Sequence, residues 1–123
     1  MILVDTSVWI DHLRRADEIL TSLLEQGTVL THPFVIGELA LGSISGRDLI
    51  LNWLRRLPAV SVAGVTEVLQ FIKQESLFGI GIGYVDVHLL AATRLTEGAT
   101  LWTRDRRLLA AAEKLSLAVR LSH

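Results

Sequence analysis

The chain has 123 residues, a mass of 13.6 kDa and 50% hydrophobic residues, which suits one domain with a full core and excludes disorder. Its apolar runs are too short to cross a bilayer, and the start from Met1 to Asp5 has no basic segment of the signal-peptide kind. The lack of cysteine excludes disulfides, thiol catalysis and cysteine–zinc sites and fits a cytoplasmic protein, while 12 basic residues against 13 acidic ones argue, taken alone, against a nucleic-acid partner.

Ile2-Leu3-Val4 reads as a short buried strand ending at Asp5, after which Thr6 and Ser7 offer N-cap side chains for a helix through Arg15. Residues 17–26 carry Ile19, Leu20, Leu23 and Leu24 at helical spacing, with Gly27 as the stop. Residues 28–31 read as a second strand. Pro33 opens a helix that fades between Gly42 and Gly46. Residues 47–57 are helical, 59–62 strand-like, and 65–78 an amphipathic helix. Glycines 79, 81 and 83 break the pattern, leaving a loop ahead of an apolar helix over 84–96. Residues 100–103 make a strand, 105–115 a helix and 117–121 a last short strand. This alternation predicts a single α/β domain over 1–123, with a parallel sheet flanked by helices on both faces. Sites in such sheets form beyond the carboxyl ends of the strands, where Asp5 and Asp105 both fall.

The charges are placed unevenly. Glu38 is the only formal charge between Glu25 and Arg47, and Asp86 the only one between Glu75 and Arg94. Both lie on helices apolar on nearly all sides, which predicts that they sit in or beside the core. A buried carboxylate without a partner costs several kcal/mol or takes up a proton. Arg side chains from elsewhere, ten of the twelve basic residues, are one source of partners. A shared cation is another, and oxygen-only ligands select a hard ion such as Mg²⁺ or Mn²⁺. Asp105 is flanked by Arg104, Arg106 and Arg107, so a solvated ion pair also accounts for it. Thr103, two residues before it, is placed to hydrogen-bond a carboxylate or simply to favour the strand.

Four segments then carry a family resemblance. They are Leu3-Val4-Asp5-Thr6-Ser7-Val8-Trp9, Ile36-Gly37-Glu38-Leu39, Gly83-Tyr84-Val85-Asp86 with Leu89 to Thr93 behind it, and Trp102-Thr103-Arg104-Asp105-Arg106. In this order, across essentially the whole chain, they resemble the acidic motifs of PIN domains, specifically of the small VapC-type toxins of toxin–antitoxin pairs. Leu108 stands where that family often carries an aromatic. The resemblance implies a three-layer α/β/α fold and an endoribonuclease whose Asp5, Glu38, Asp86 and Asp105 hold Mg²⁺ or Mn²⁺. Asp5 and Asp86 would be the principal ligands, with Thr6, Ser7 and Thr103 orienting them. It also implies a cognate VapB-type antitoxin, an RNA substrate and a homodimer. Trp9, Trp53, Leu20 and Leu24 are candidates for the antitoxin groove or for the core. Arg14, Arg15, Arg55 and Arg56 are candidates for phosphate contacts.

Three other readings compete. A metal-free ribonuclease would use a pair among His12, His32, His88 and His123 as acid and base. A non-catalytic PIN-like module would bind RNA or protein without cutting, and related folds include nucleases of structured DNA. The charge balance opposes none of them. Taking the four motif acids from the 13 leaves 9 against 12 basic residues, a mildly basic remainder around an acidic pocket.

Overall fold

The structure is a computed structural model describing residues 1–121. Strands β1 (Ile2–Val4), β2 (Val29–Leu30) and β3 (Thr100–Trp102) form a parallel sheet in the order β2-β1-β3. Helices α1 (Thr6–Arg14) and α2 (Glu18–Glu25) connect β1 to β2. Helices α3 (Pro33–Ala40), α4 (Arg47–Arg55), α5 (Val65–Gln74) and α6 (Tyr84–Leu95) connect β2 to β3, and α7 (Arg106–Lys114) follows. The strand order reverses direction at β1, so right-handed crossovers to its two sides lie on opposite faces of the sheet. The α/β/α layering expected from the alternation follows from that reversal.

The two strands expected over 59–62 and 117–121 shrink to single parallel bridges, Thr31 with Ala59 and Leu101 with Ala118. On the first side Thr31 N–H donates to the Pro58 carbonyl at 2.8 Å and Val60 N–H to the Thr31 carbonyl at 2.9 Å. On the other, Leu101 N–H reaches Leu117 O at 2.7 Å and Val119 N–H reaches Leu101 O at 2.9 Å. Because β2 spans only two residues, an outer neighbour finds little backbone left to pair with. His123 lies outside the described residues.

Helix ends follow local chemistry. The stop at Gly27 is as expected, with φ +70° and Thr28 N–H returning to Leu23 O at 3.1 Å. The helix expected over 65–78 ends at Gln74, because Ser76 takes φ 53° and Leu77 N–H returns to Ile72 O at 2.9 Å. Ser116 at φ 59° closes α7 in the same way, with Leu117 N–H on Ala112 O at 2.8 Å. Burying the following Leu in each case offsets the strain of a non-glycine left-handed residue.

The core runs through the sheet and the inner helix faces. Leu3, Val4, Val8, Trp9, Leu20, Leu89, Leu90, Leu101 and Leu108 are fully buried. Trp9 and Leu20, offered above as groove residues, therefore belong to the core, whereas Trp53 is half exposed and meets Trp9 edge to face at 6.1 Å. Helix α3 departs from expectation. Its apolar sequence predicted burial on all sides, yet only Val35 and Leu39 are deeply buried, while Glu38 is exposed and Leu41, just beyond the helix, is 90% exposed. No helix among the described residues is long and apolar enough to cross a membrane.

Candidate active site

Each of the four motif acids is positioned by a different backbone device. Asp5 follows the last residue of β1 and is the N-cap of α1, with β-region φ −70° and ψ 156°. Its side chain does not cap the helix. It turns inward instead, is 5% exposed, and its Oδ2 accepts from Ser7 Oγ and from Thr103 Oγ1, both at 2.7 Å. Thr6 and Ser7 are therefore not the caps their position suggested. Thr6 Oγ1 donates to Glu38 Oε1 at 2.7 Å, binding the start of α1 to α3. With both hydroxyls on Oδ2, the Asp5 Oδ1 accepts no hydrogen bond among the described residues.

Asp105 is the N-cap of α7, its Oδ1 accepting from Leu108 N–H at 2.9 Å. Its own N–H donates to Thr103 Oγ1 at 3.1 Å, so one hydroxyl ties Asp105 backbone to Asp5 carboxylate. The ion pair with the flanking arginines does not form. Arg104 forks instead to Asp11 and Asp17, each at 2.7 Å, with its guanidinium 5.5 Å from the Trp102 ring centroid. Arg107 donates to the Gly81 carbonyl at 3.2 Å, in the glycine loop ahead of α6. Sequence reading missed that fork, because Asp11 and Asp17 lie some ninety residues away along the chain and no local pattern joins them to Arg104.

Asp86 sits in the first turn of α6, where the helix dipole favours its charged form. The opposing effects are larger. Burial, then the charges of Asp5 and Asp105, and last Glu38, push its carboxyl up to about 6, partly countered by the Gly83 backbone amide. Asp86 thus feels the charges of the other three acids. None of the four forms a salt bridge with Lys or Arg among the described residues, where the ion pairs use Asp11, Asp17, Asp48 and Glu75.

The donor set fits a hard divalent ion. It is all oxygen, concentrated in charge and uncompensated by basic side chains. As they stand, no three of the described acids are drawn into a single ligand group. Mutual repulsion of clustered carboxylates opposes that approach. An ion held here would draw on Asp5 and Asp86, with Glu38 and Asp105 at the margin, directly or through water.

The three described histidines, His12, His32 and His88, are not arranged as an acid–base pair. His32 and His88 are buried and both are driven toward the neutral form. His32 falls to about 4, by burial and then by His88, and His88 is lowered by burial. His32 Nδ1 accepts from Phe34 N–H at 2.9 Å, while His32 Nε2 and both His88 ring nitrogens find no partner among the described residues. His12 accepts from Asp17 N–H at 2.9 Å and helps hold the turn between α1 and α2. Neither Phe34 nor Tyr84 was singled out as a site residue in the sequence, Tyr84 appearing there only within the segment around Asp86. The Tyr84 ring lies 4.6 Å from that of His88, its i+4 neighbour on α6, and the approach of α3 to α6 adds Phe34 at 4.7 Å.

Comparison with known proteins agrees with this geometry. The family model of the PIN domain matches residues 2–114. The protein called Ribonuclease VapC32 in Mycobacterium tuberculosis, strains CDC 1551 / Oshkosh and ATCC 25618 / H37Rv, is 50% identical over 119 residues. That match covers 97% of this chain and 96% of the relative. With the acids on the carboxyl edge of a parallel sheet and the match nearly end to end, this chain belongs to the PIN-domain family, among its VapC-type members.

Proposed function

We propose that the protein is a metal-dependent endoribonuclease and the toxin of a toxin–antitoxin pair. The observation that carries the reading is the uncompensated cluster of Asp5, Glu38, Asp86 and Asp105, in which burial and the other three carboxylates raise Asp86. The half-identical relative named as a ribonuclease supports the substrate class.

Within this reading the residues have distinct tasks. Asp5 is immobilised by Ser7 and Thr103 through Oδ2, and its Oδ1 would be the oxygen free to hold the ion. Asp86 supplies a second oxygen from the first turn of α6, Glu38 is steadied by Thr6, and Asp105 is fixed by its capping bond to α7. Mg²⁺ or Mn²⁺ bound there would lower the pKa of water and neutralise charge on the phosphodiester. The protein itself orients the carboxylates and would bring the scissile phosphate beside them.

The antitoxin belongs to the same proposal. A cleft of about 400 Å³ is lined by Ile10, Leu13, Leu39, Ile44 and Ile50, with Glu38 and Arg14 among its walls. An amphipathic VapB-type segment seated in it would bury this apolar surface and reach the acids from the α3 side. Homodimerisation and a cytoplasmic setting complete the reading. Arg14, Arg15, Arg55 and Arg56 are all exposed and available to an acidic segment or to RNA phosphates.

The test is cleavage of total RNA by purified protein, with sequencing of the ends. Mg²⁺-dependent cleavage leaving 5′-phosphate and 3′-hydroxyl ends, abolished by Asp5→Asn and by Asp86→Asn, is expected. Cleavage persisting in excess EDTA would remove the metal, and cyclic-phosphate ends would point to attack by the ribose. RNA binding without turnover by the wild-type protein would favour the non-catalytic module.

A further inference from the structure

We propose that Phe34 and Tyr84 form an aromatic step beside the acid pocket that stacks a nucleobase of the RNA, an inference that rests on the ribonuclease reading. Phe34 is 38% exposed and Tyr84 49% exposed. They come from different helices, α3 and α6, yet both pack edge to face on one buried imidazole. The Phe34 and His88 centroids are 4.7 Å apart at 63°, and those of Tyr84 and His88 are 4.6 Å apart at 89°. His32 braces Phe34 from behind, 5.0 Å away at 60°. Two buried histidines thus support two half-exposed rings from the core side.

The step adjoins the acids through α3. Phe34 lies one turn before Glu38 on that helix, so the two share a face. Tyr84 opens α6 and joins Phe34 through His88, one turn further along its own helix. A strand whose phosphate reached these carboxylates would therefore pass its adjacent bases over Phe34 and Tyr84. The chemistry also favours stacking here. Without an ion the four acids repel RNA phosphates, and among the described residues no Lys or Arg forms a salt bridge with them. Base–aromatic stacking is indifferent to that charge and works with any base. The step therefore supplies uncharged affinity where charge works against binding.

Oligoadenylate binding, compared with an abasic ribose-phosphate oligomer of equal length and charge, tests the inference on wild-type protein and on Phe34→Leu, Tyr84→Leu and the double variant. The wild type should prefer the base-bearing oligomer by about tenfold or more. Each Leu should cut that preference, and the double variant should bring it within about twofold while leaving affinity for the abasic oligomer unchanged. Tyr84→Phe should keep the wild-type preference. An equal preference in wild type and double variant overturns the proposal, as does the absence of any preference in the wild type. Loss of self-association in the variants with base preference intact would also overturn it, assigning the rings to contact with a second copy. The wild-type comparison needs no variant to fold. Because Asp5→Asn should lose cleavage but keep the base preference, failure of the step and failure of the nuclease reading give different results.

Discussion

Replacing Asp86 by Asn should make the metal-free protein more stable at neutral pH, the reverse of the usual cost of altering a partly buried polar residue. In the folded protein the Asp86 carboxyl sits at about 6, against an ordinary 3.8. Folded protein therefore holds this proton more tightly than unfolded chain. The contribution to stability is fully present below about pH 4 and is lost as pH rises through 6. A displacement of about two units corresponds to roughly 3 kcal/mol at most. Solvent reaches this half-buried group, and screening reduces the effect to roughly 1–2 kcal/mol. Asn keeps the shape and removes the titration. His32 and His88 act oppositely in a neighbouring window, because groups held neutral by burial cost stability as pH falls below 6.5. The informative quantity is thus the difference between the two proteins rather than either curve. Urea unfolding in EDTA at half-unit steps from pH 4 to 8 should show Asp86→Asn gaining on wild type through pH 5–6 and staying ahead by roughly 1–2 kcal/mol at pH 8, about 5 °C in Tm. Adding millimolar Mg²⁺ should stabilise the wild type more than the variant, since the ion binds folded protein through the altered carboxylate. A variant less stable than wild type in EDTA at pH 8, or a difference independent of pH, would refute the repulsion argument and favour an Asp86 held by a favourable contact.

Three further outcomes follow from single contacts. Thr103→Val keeps the strand-forming shape but removes the hydroxyl between Asp5 Oδ2 and Asp105 N–H, so denaturant unfolding should show a loss of about 1–3 kcal/mol. Arg104→Met should cost about 1–2 kcal/mol by opening the fork to Asp11 and Asp17, and raising salt should shrink the difference in Tm. Gly81→Ala should destabilise the protein by about 1 kcal/mol or more, measured by thermal unfolding. Gly81 has φ +84°, and a Cβ there would come 2.5 Å from the Arg107 guanidinium nitrogen.

The sequence by itself determined the positions of the chemistry. Glu38 and Asp86 stand out because no other charge lies near them in the chain, and Asp5 and Asp105 because each follows an apolar strand. Strand–helix alternation was enough to put the last two on one sheet edge, because parallel strands all end on the same side. Tertiary structure decided what those residues touch. Thr6 and Ser7 looked like caps, but Glu38 and Asp5 compete for their hydroxyls with charge-assisted bonds stronger than a neutral cap. Asp105 looked like the partner of its arginine neighbours, until Arg104 found two carboxylates from α1 and α2 in its fork. The apolar helix α3 looked buried on every side, but periodicity reports the hydrophobicity of a face and not whether this chain supplies something to cover it. Each of these outcomes depends on groups distant in sequence and close in space, so no local pattern encodes them. The near-zero net charge shows the same division: the count is fixed by composition, while the fold decides which carboxylates find a basic partner, as Asp11, Asp17, Asp48 and Glu75 do and the four motif acids, among the described residues, do not.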